Sequence, residues 1–91
     1  MPRYLIERTF HESPGLPGPE QGEQTRLTFV ENNTLEGVTW IHSYVAPDRK
    51  KSFCIYDGPT PEAVRRAALR NGLPADRITE VCLLDPNFYS A

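Results

Sequence analysis

Metal-binding and proton-handling side chains recur in this chain inside short alternating apolar segments. His42 and Tyr44 sit in Trp40-Ile-His-Ser-Tyr44, Cys54 and Tyr56 in Phe53-Cys-Ile-Tyr56, Glu7 in Tyr4-Leu-Ile-Glu7, and Glu80 and Cys82 in Thr79-Glu-Val-Cys82. Imidazole, carboxylate and thiolate together suit a first-row divalent metal, with nearby phenols orienting the ligands through hydrogen bonds. The same groups could serve an enzyme, with His42 or Glu7 as general base and Tyr56 donating to a developing oxyanion. A plainer account needs neither chemistry: an interface histidine among packed aromatics, and thiols acting as small hydrophobes.

Several sharper motifs are absent. No Cys-x-x-Cys or His-x-x-x-His spacing occurs, which removes zinc ribbons and zincin-like helices. No serine stands in a triad-like order with histidine and a carboxylate. Residues 11–22 hold three prolines and three glycines, so they form a loop; prolines deprive it of the backbone donors a phosphate cradle needs. His11-Glu12 pairs a nitrogen with a carboxylate, but at the entry to that loop. Arg49-Lys50-Lys51 and the arginines after Val64 belong on solvated surfaces. Asn32-Asn-Thr34 matches a glycosylation sequon but falls within a predicted helix.

The elements that must position the donor groups follow from periodicity. Arg3–Phe10 alternates as a strand, with Tyr4, Ile6, Arg8 and Phe10 on one face and Arg3, Leu5, Glu7 and Thr9 on the other. A helix is predicted over Glu23–Glu36, with Leu27, Val30 and Leu35 as its apolar stripe and Gly37 ending it. Val38–Val45 and Ser52–Tyr56 form a hairpin through the turn at 46–51. Thr60-Pro61-Glu62 starts a second helix, which buries Val64, Ala67 and Ala68 and stops at Asn71-Gly72. Arg77–Leu84 is the last strand.

That order is βαββαβ, an α+β ferredoxin-like fold: a four-stranded antiparallel sheet in spatial order 4-1-3-2 with two helices on one face. Ile6, Ile41, Val45, Phe53, Ile55, Val81 and Leu83 are expected under the helices. Leu5, Glu7, Trp40, His42, Tyr44, Cys54, Tyr56, Glu80 and Cys82 then share the open face. A hairpin turning about Arg49 sets His42 opposite Tyr56 and Tyr44 opposite Cys54. An aromatic face left in water would be unusual, so a homodimer closing face to face is expected, the arrangement of a dimeric α/β barrel. Cys54 and Cys82 straddle the first strand, farther apart than a disulfide allows, and are expected to be unpaired.

The 91 residues suffice for a single domain, 1–91, with one core. A net charge of −2 argues against a nucleic-acid partner, which calls for a basic surplus. No apolar run could span a membrane, and Glu7 interrupts the opening before it resembles a signal peptide. Two cysteines in an unexported chain point to reduced thiols and a cytoplasmic location.

Gly37-Val-Thr-Trp-Ile-His-Ser-Tyr-Val45, Lys51-Ser-Phe-Cys-Ile-Tyr-Asp57 and Pro59-Thr-Pro-Glu-Ala63 together resemble a family of small bacterial nickel-binding or nickel-responsive proteins common in actinobacteria. Asn71-Gly-Leu-Pro74, Asp76-Arg-Ile-Thr-Glu80, Asp85-Pro86, Phe88-Tyr89 and the opening Pro2–Phe10 extend the likeness over nearly the whole chain. The resemblance implies a ferredoxin-like dimer that binds nickel, for sequestration or response. The metal-ligand candidates standing inside the matching blocks are His42, Glu7, Cys54, Glu80, Tyr44 and Tyr56. Other divalent transition metals fit the same donors. The alternative is a small dimeric α/β-barrel enzyme, of monooxygenase, cyclase or isomerase type, acting on an aromatic small molecule.

Overall fold

The computed structural model describes residues 1–11 and 22–89. Its elements are β1 (Arg3–Thr9), α1 (Gly22–Leu35), β2 (Thr39–Val45), β3 (Lys51–Asp57), α2 (Pro61–Arg70) and β4 (Arg77–Val81), followed by a 3₁₀ turn at Pro86–Tyr89. The sheet runs β2-β3-β1-β4, which is the predicted order, with every neighbouring pair antiparallel. The fold is ferredoxin-like α+β. Most of the predicted Pro-Gly loop lies outside the described residues.

Both helices end as their sequences require. Gly37, at φ 70°, and Gly72, at φ 68°, occupy the left-handed region that glycine enters without strain. Behind Gly37, Val38 N–H donates to the Asn33 carbonyl at 3.0 Å; behind Gly72, Leu73 N–H donates to the Ala68 carbonyl at 3.0 Å. These are Schellman closures, which satisfy carbonyls the helix leaves open. At the start of α2, Thr60 Oγ1 accepts from Ala63 N–H at 3.1 Å and Pro61 takes the first helical position.

The core lies between α2 and the central strands. Ala63, Val64, Ala67 and Ala68 present small side chains to Tyr4, Ile6, Val38, Cys54 and Tyr56, so the helix approaches closely. Gly58 shares this tight seat, since a Cβ there would meet Val38 Cγ1 at 2.8 Å.

The first helix departs from expectation. Leu27, Val30 and Leu35, predicted as its buried stripe, are exposed, and Asn33 is its buried residue among those described. Positions 22, 25, 29 and 33 fall on one side, and α1 sits through polar contacts instead. Asn71 Nδ2 donates to Asn33 Oδ1 at 3.1 Å, and Asn32 Nδ2 donates to Asn71 Oδ1 at 2.9 Å. Glu36 accepts from Arg66 Nε and Arg70 Nε, each at 2.7 Å, tying the end of α1 to α2. Apolar spacing identified the helix but mistook which side faces the sheet.

Strand faces also need correction. Ile6 is fully buried, and the register sets it opposite Cys54 and Ile78; Tyr4 lies opposite Tyr56 and Glu80. Directly opposed residues share a face, so Cys54, Tyr56, Ile78 and Glu80 lie on the helix side. Phe53, Ile55 and Val81 lie on the open side. Ile55 and Phe53, expected inside, stand opposite Leu5 and Glu7. In β2 a register shift between Trp40 and His42 sets Trp40 opposite Tyr56, His42 opposite Ile55, and Tyr44 opposite Phe53. Trp40 therefore turns toward the helices while His42 and Tyr44 turn away. A bulge breaks the alternation that had joined all three. Strand β4 ends at Val81, leaving Cys82, Leu83 and Leu84 beyond it and exposed.

Candidate functional site

The predicted donors divide between the two sides of the sheet. His42, Tyr44 and Glu7 remain together on the open face. His42 is exposed, and its ring meets that of Tyr44 edge to face at 5.3 Å between centroids. Glu7, half-buried, lies opposite Phe53, which in turn lies opposite Tyr44. Arg77 Nε stands 3.9 Å from the Glu7 carboxylate. Leu5, Ile55 and Phe53 pave the floor between them. At one end Arg3 grips Asp57 through paired hydrogen bonds of 2.8 and 3.2 Å. Hydrogen bonding from Arg3 holds the Asp57 carboxyl below its usual range.

Cys54 and Tyr56 are buried on the other side, and Glu80 stands at the end of that side beside Tyr4. Cys54 Sγ lies 3.6 Å from Ser52 Oγ. Burial raises the pKa of the Tyr56 phenol, with the Arg8 charge pulling the other way. The pairing of His42 or Glu7 as base with Tyr56 as oxyanion donor is thus divided by the sheet itself. Both cysteines are free thiols, as expected, with Cys54 buried and Cys82 exposed. Among the described residues, no group of three or more His, Cys, Asp or Glu side chains converges closely enough to hold an ion within one chain.

Sequence reasoning passed over Arg8. Its side chain is 1% exposed and lines a cavity of about 630 Å³ between α1 and the sheet, walled by Phe29, Trp40, Tyr56 and Leu73. Arg8 Nη1 donates to the Pro74 carbonyl, and its guanidinium carbon stands 6.0 Å from the Tyr56 ring centroid. The signal was present: an arginine alternating with Tyr4 and Ile6 on a face destined for the core.

The comparisons agree with this α+β fold. The profile of a family described as nickel responsive protein, SCO4226-like, matches residues 4–81. The chain belongs to that family. The crystal structure of SCO4226 from Streptomyces coelicolor A3(2) superposes with a TM-score of 0.71 at 24% identity, covering 91% of this chain and 99% of that one. A REP-associated tyrosine transposase bound to a REP hairpin superposes with a TM-score of 0.55 at 10% identity, covering 98% of this chain and 60% of that one. Likeness at these identities shows the fold alone. No curated protein sequence matches the chain. No helix among the described residues is long and apolar enough to cross a membrane.

Proposed function

We propose that this protein binds nickel on the open face of its sheet, for sequestration or response, with a site completed across a homodimer. The observation that carries this is the placement of His42, Tyr44 and Glu7 on one uncovered face, in a chain whose family is named for its response to nickel. His42 supplies the imidazole and Glu7 the carboxylate; Tyr44, against the His42 ring, orients it or donates from its phenol. Cys54 and Tyr56 face the core and do not belong to this set, and Glu80 lies on the helix side.

Glu7 and His42 stand on strands two places apart, about 9.5 Å at the usual spacing. One chain therefore offers a first-row dication too few ligands. A second copy related by a two-fold axis brings another His42 and another Glu7 to the same face. Closing on Phe53, Ile55 and Leu5 would also cover the apolar floor those residues form. Trp40, expected at that interface, has no part in it. Imidazole and carboxylate also suit copper and zinc, so preference for nickel would come from geometry.

Titration calorimetry with nickel, followed by sedimentation with and without the metal, tests the proposal. Saturable binding that His42→Ala or Glu7→Gln weakens, in a species of dimer mass, is expected. Binding unaffected by either substitution would sink it.

A further inference from the structure

The buried guanidinium of Arg8 poses a problem that nickel binding does not address. A charge removed from water is costly unless it is paired or fully hydrogen-bonded. Among the described residues no carboxylate pairs with Arg8; the ion pairs join Arg3 to Asp57, Arg26 to Glu23, Arg66 and Arg70 to Glu36, and Arg77 to Glu7. Arg8 Nη1 is held by the Pro74 carbonyl, while Arg8 Nε is buried without a hydrogen-bond partner. The side chain is anchored at one end and unsatisfied at the other.

What surrounds it is not packed core. The cavity of about 630 Å³ that Arg8 lines lies in the size range of small-molecule sites. Its walls carry aromatic surface. Trp40 meets Phe29 edge to face at 6.5 Å, and Trp40 Nε1 donates to Ser43 Oγ at 2.9 Å, which fixes the indole. Tyr56 lies beneath the Arg8 guanidinium. Thr25 and Arg26 contribute from α1, with Arg26 already engaged by Glu23 at 3.0 Å. The first half of α1 leaves a space over the sheet that Leu27 and Val30, turned outward, do not fill.

We propose that this cavity binds a small organic carboxylate with an aromatic or branched apolar body. The carboxylate would meet Arg8, and the body would lie between Phe29, Trp40 and Leu73. A guanidinium presents forked donors that match a carboxylate, so an anion beside Arg8 offsets its unpaired charge. A neutral molecule of the same shape would not. The site is on the opposite side of the sheet from His42 and is independent of the metal.

Trp40 is the chain's single tryptophan and lines the cavity, so it reports occupancy directly. The experiment titrates metal-free protein with 3-phenylpropionate and, separately, with its neutral amide, following tryptophan emission and amide NMR shifts. The acid should bind saturably, at least about tenfold tighter than the amide. It should shift residues around Trp40 and Leu73 rather than Phe53 and Ile55. Arg8→Met should remove the preference for the acid. Thr25→Phe, which fills the space and leaves Arg8 in place, should abolish binding and guards against a fold defect in the first variant. Equal binding of acid and amide, no saturable response to the acid into the millimolar range, or shifts confined to the open face would each overturn the proposal.

Discussion

Strand β3 faces two different environments, and its residues are sorted against the usual rule. Ser52, Cys54 and Tyr56 point inward beneath the helices, while Phe53 and Ile55 point out. On β1 the inward set likewise contains Arg8, and the outward set contains Leu5 beside Glu7. A covered face rich in polar atoms and an open face with an apolar floor each need explanation. The covered face keeps room around a charge, which suits a ligand site. The open face keeps apolar surface beside donors, which suits a second subunit and an ion.

The largest expected effect separates core from interface. Ile6 is fully buried, and Ile6→Ala should cost about 3 kcal/mol of stability at any protein concentration. Ile55→Ala on the open face should behave differently. Its deficit in a urea melt should widen as concentration rises, because only an associating protein gains stability by mass action. A deficit independent of concentration would mean that Ile55 packs within its own chain and that the open face has no partner.

Metal binding divides the faces more finely. His42→Ala should weaken nickel binding by more than tenfold, or about 1.4 kcal/mol, whereas Cys54→Ser should leave it within about twofold. Binding should also weaken in acid, because imidazole coordinates only after losing its proton. Calorimetry on the two variants would reverse the assignment if the thiol substitution proved the damaging one.

The covered face can be probed from the alkaline side. Burial raises the Tyr56 pKa, so the folded state resists phenol ionisation. Its contribution to stability is intact below the unfolded phenol's value, about 10, and is lost as pH rises toward the higher folded value. In an absorbance titration Tyr56→Phe should remove one late-ionising phenol. Loss of an early one instead would place Tyr56 in water.

Much of this architecture was legible because its signals are local. Thr60-Pro61, Gly37 and Gly72 specify caps whose chemistry does not depend on distant packing. Element order then fixed the strand order. The faces of β1 were also correct, since Glu7 and Arg3 mark its outer side. What failed was the step that equates apolar with covered by helices. Phe53 and Ile55 are apolar and open, so alternation alone cannot say which of two apolar environments they meet. The bulge at Ile41 left no mark in residue type, yet it separates Trp40 from His42. His42, Tyr44 and Glu7 lie on the open face as expected, whereas Cys54, Tyr56 and Glu80 lie on the helix side. Arg8 went unnoticed as a buried charge beside a cavity because that cavity exists only once α1 is seated.

That seat supplies the smallest effect. Glu36 joins α1 to α2 through Arg66 and Arg70, and hydrogen bonds from these two arginines hold its carboxyl below the usual range. A carboxyl depressed on folding stabilises above its unfolded value, about 4.3, and loses that contribution as pH falls through the lower folded value. Both arginines are about half exposed, so solvent screening keeps the contribution modest. Glu36→Gln should therefore lower the urea midpoint slightly near neutral pH, and the gap from the parent should close as pH falls through the lowered folded value. A gap that persists in acid would show that Glu36 acts through its packing at the helix junction. The polar seat that keeps the Arg8 cavity open would then rest on the Asn32-Asn33-Asn71 contacts alone.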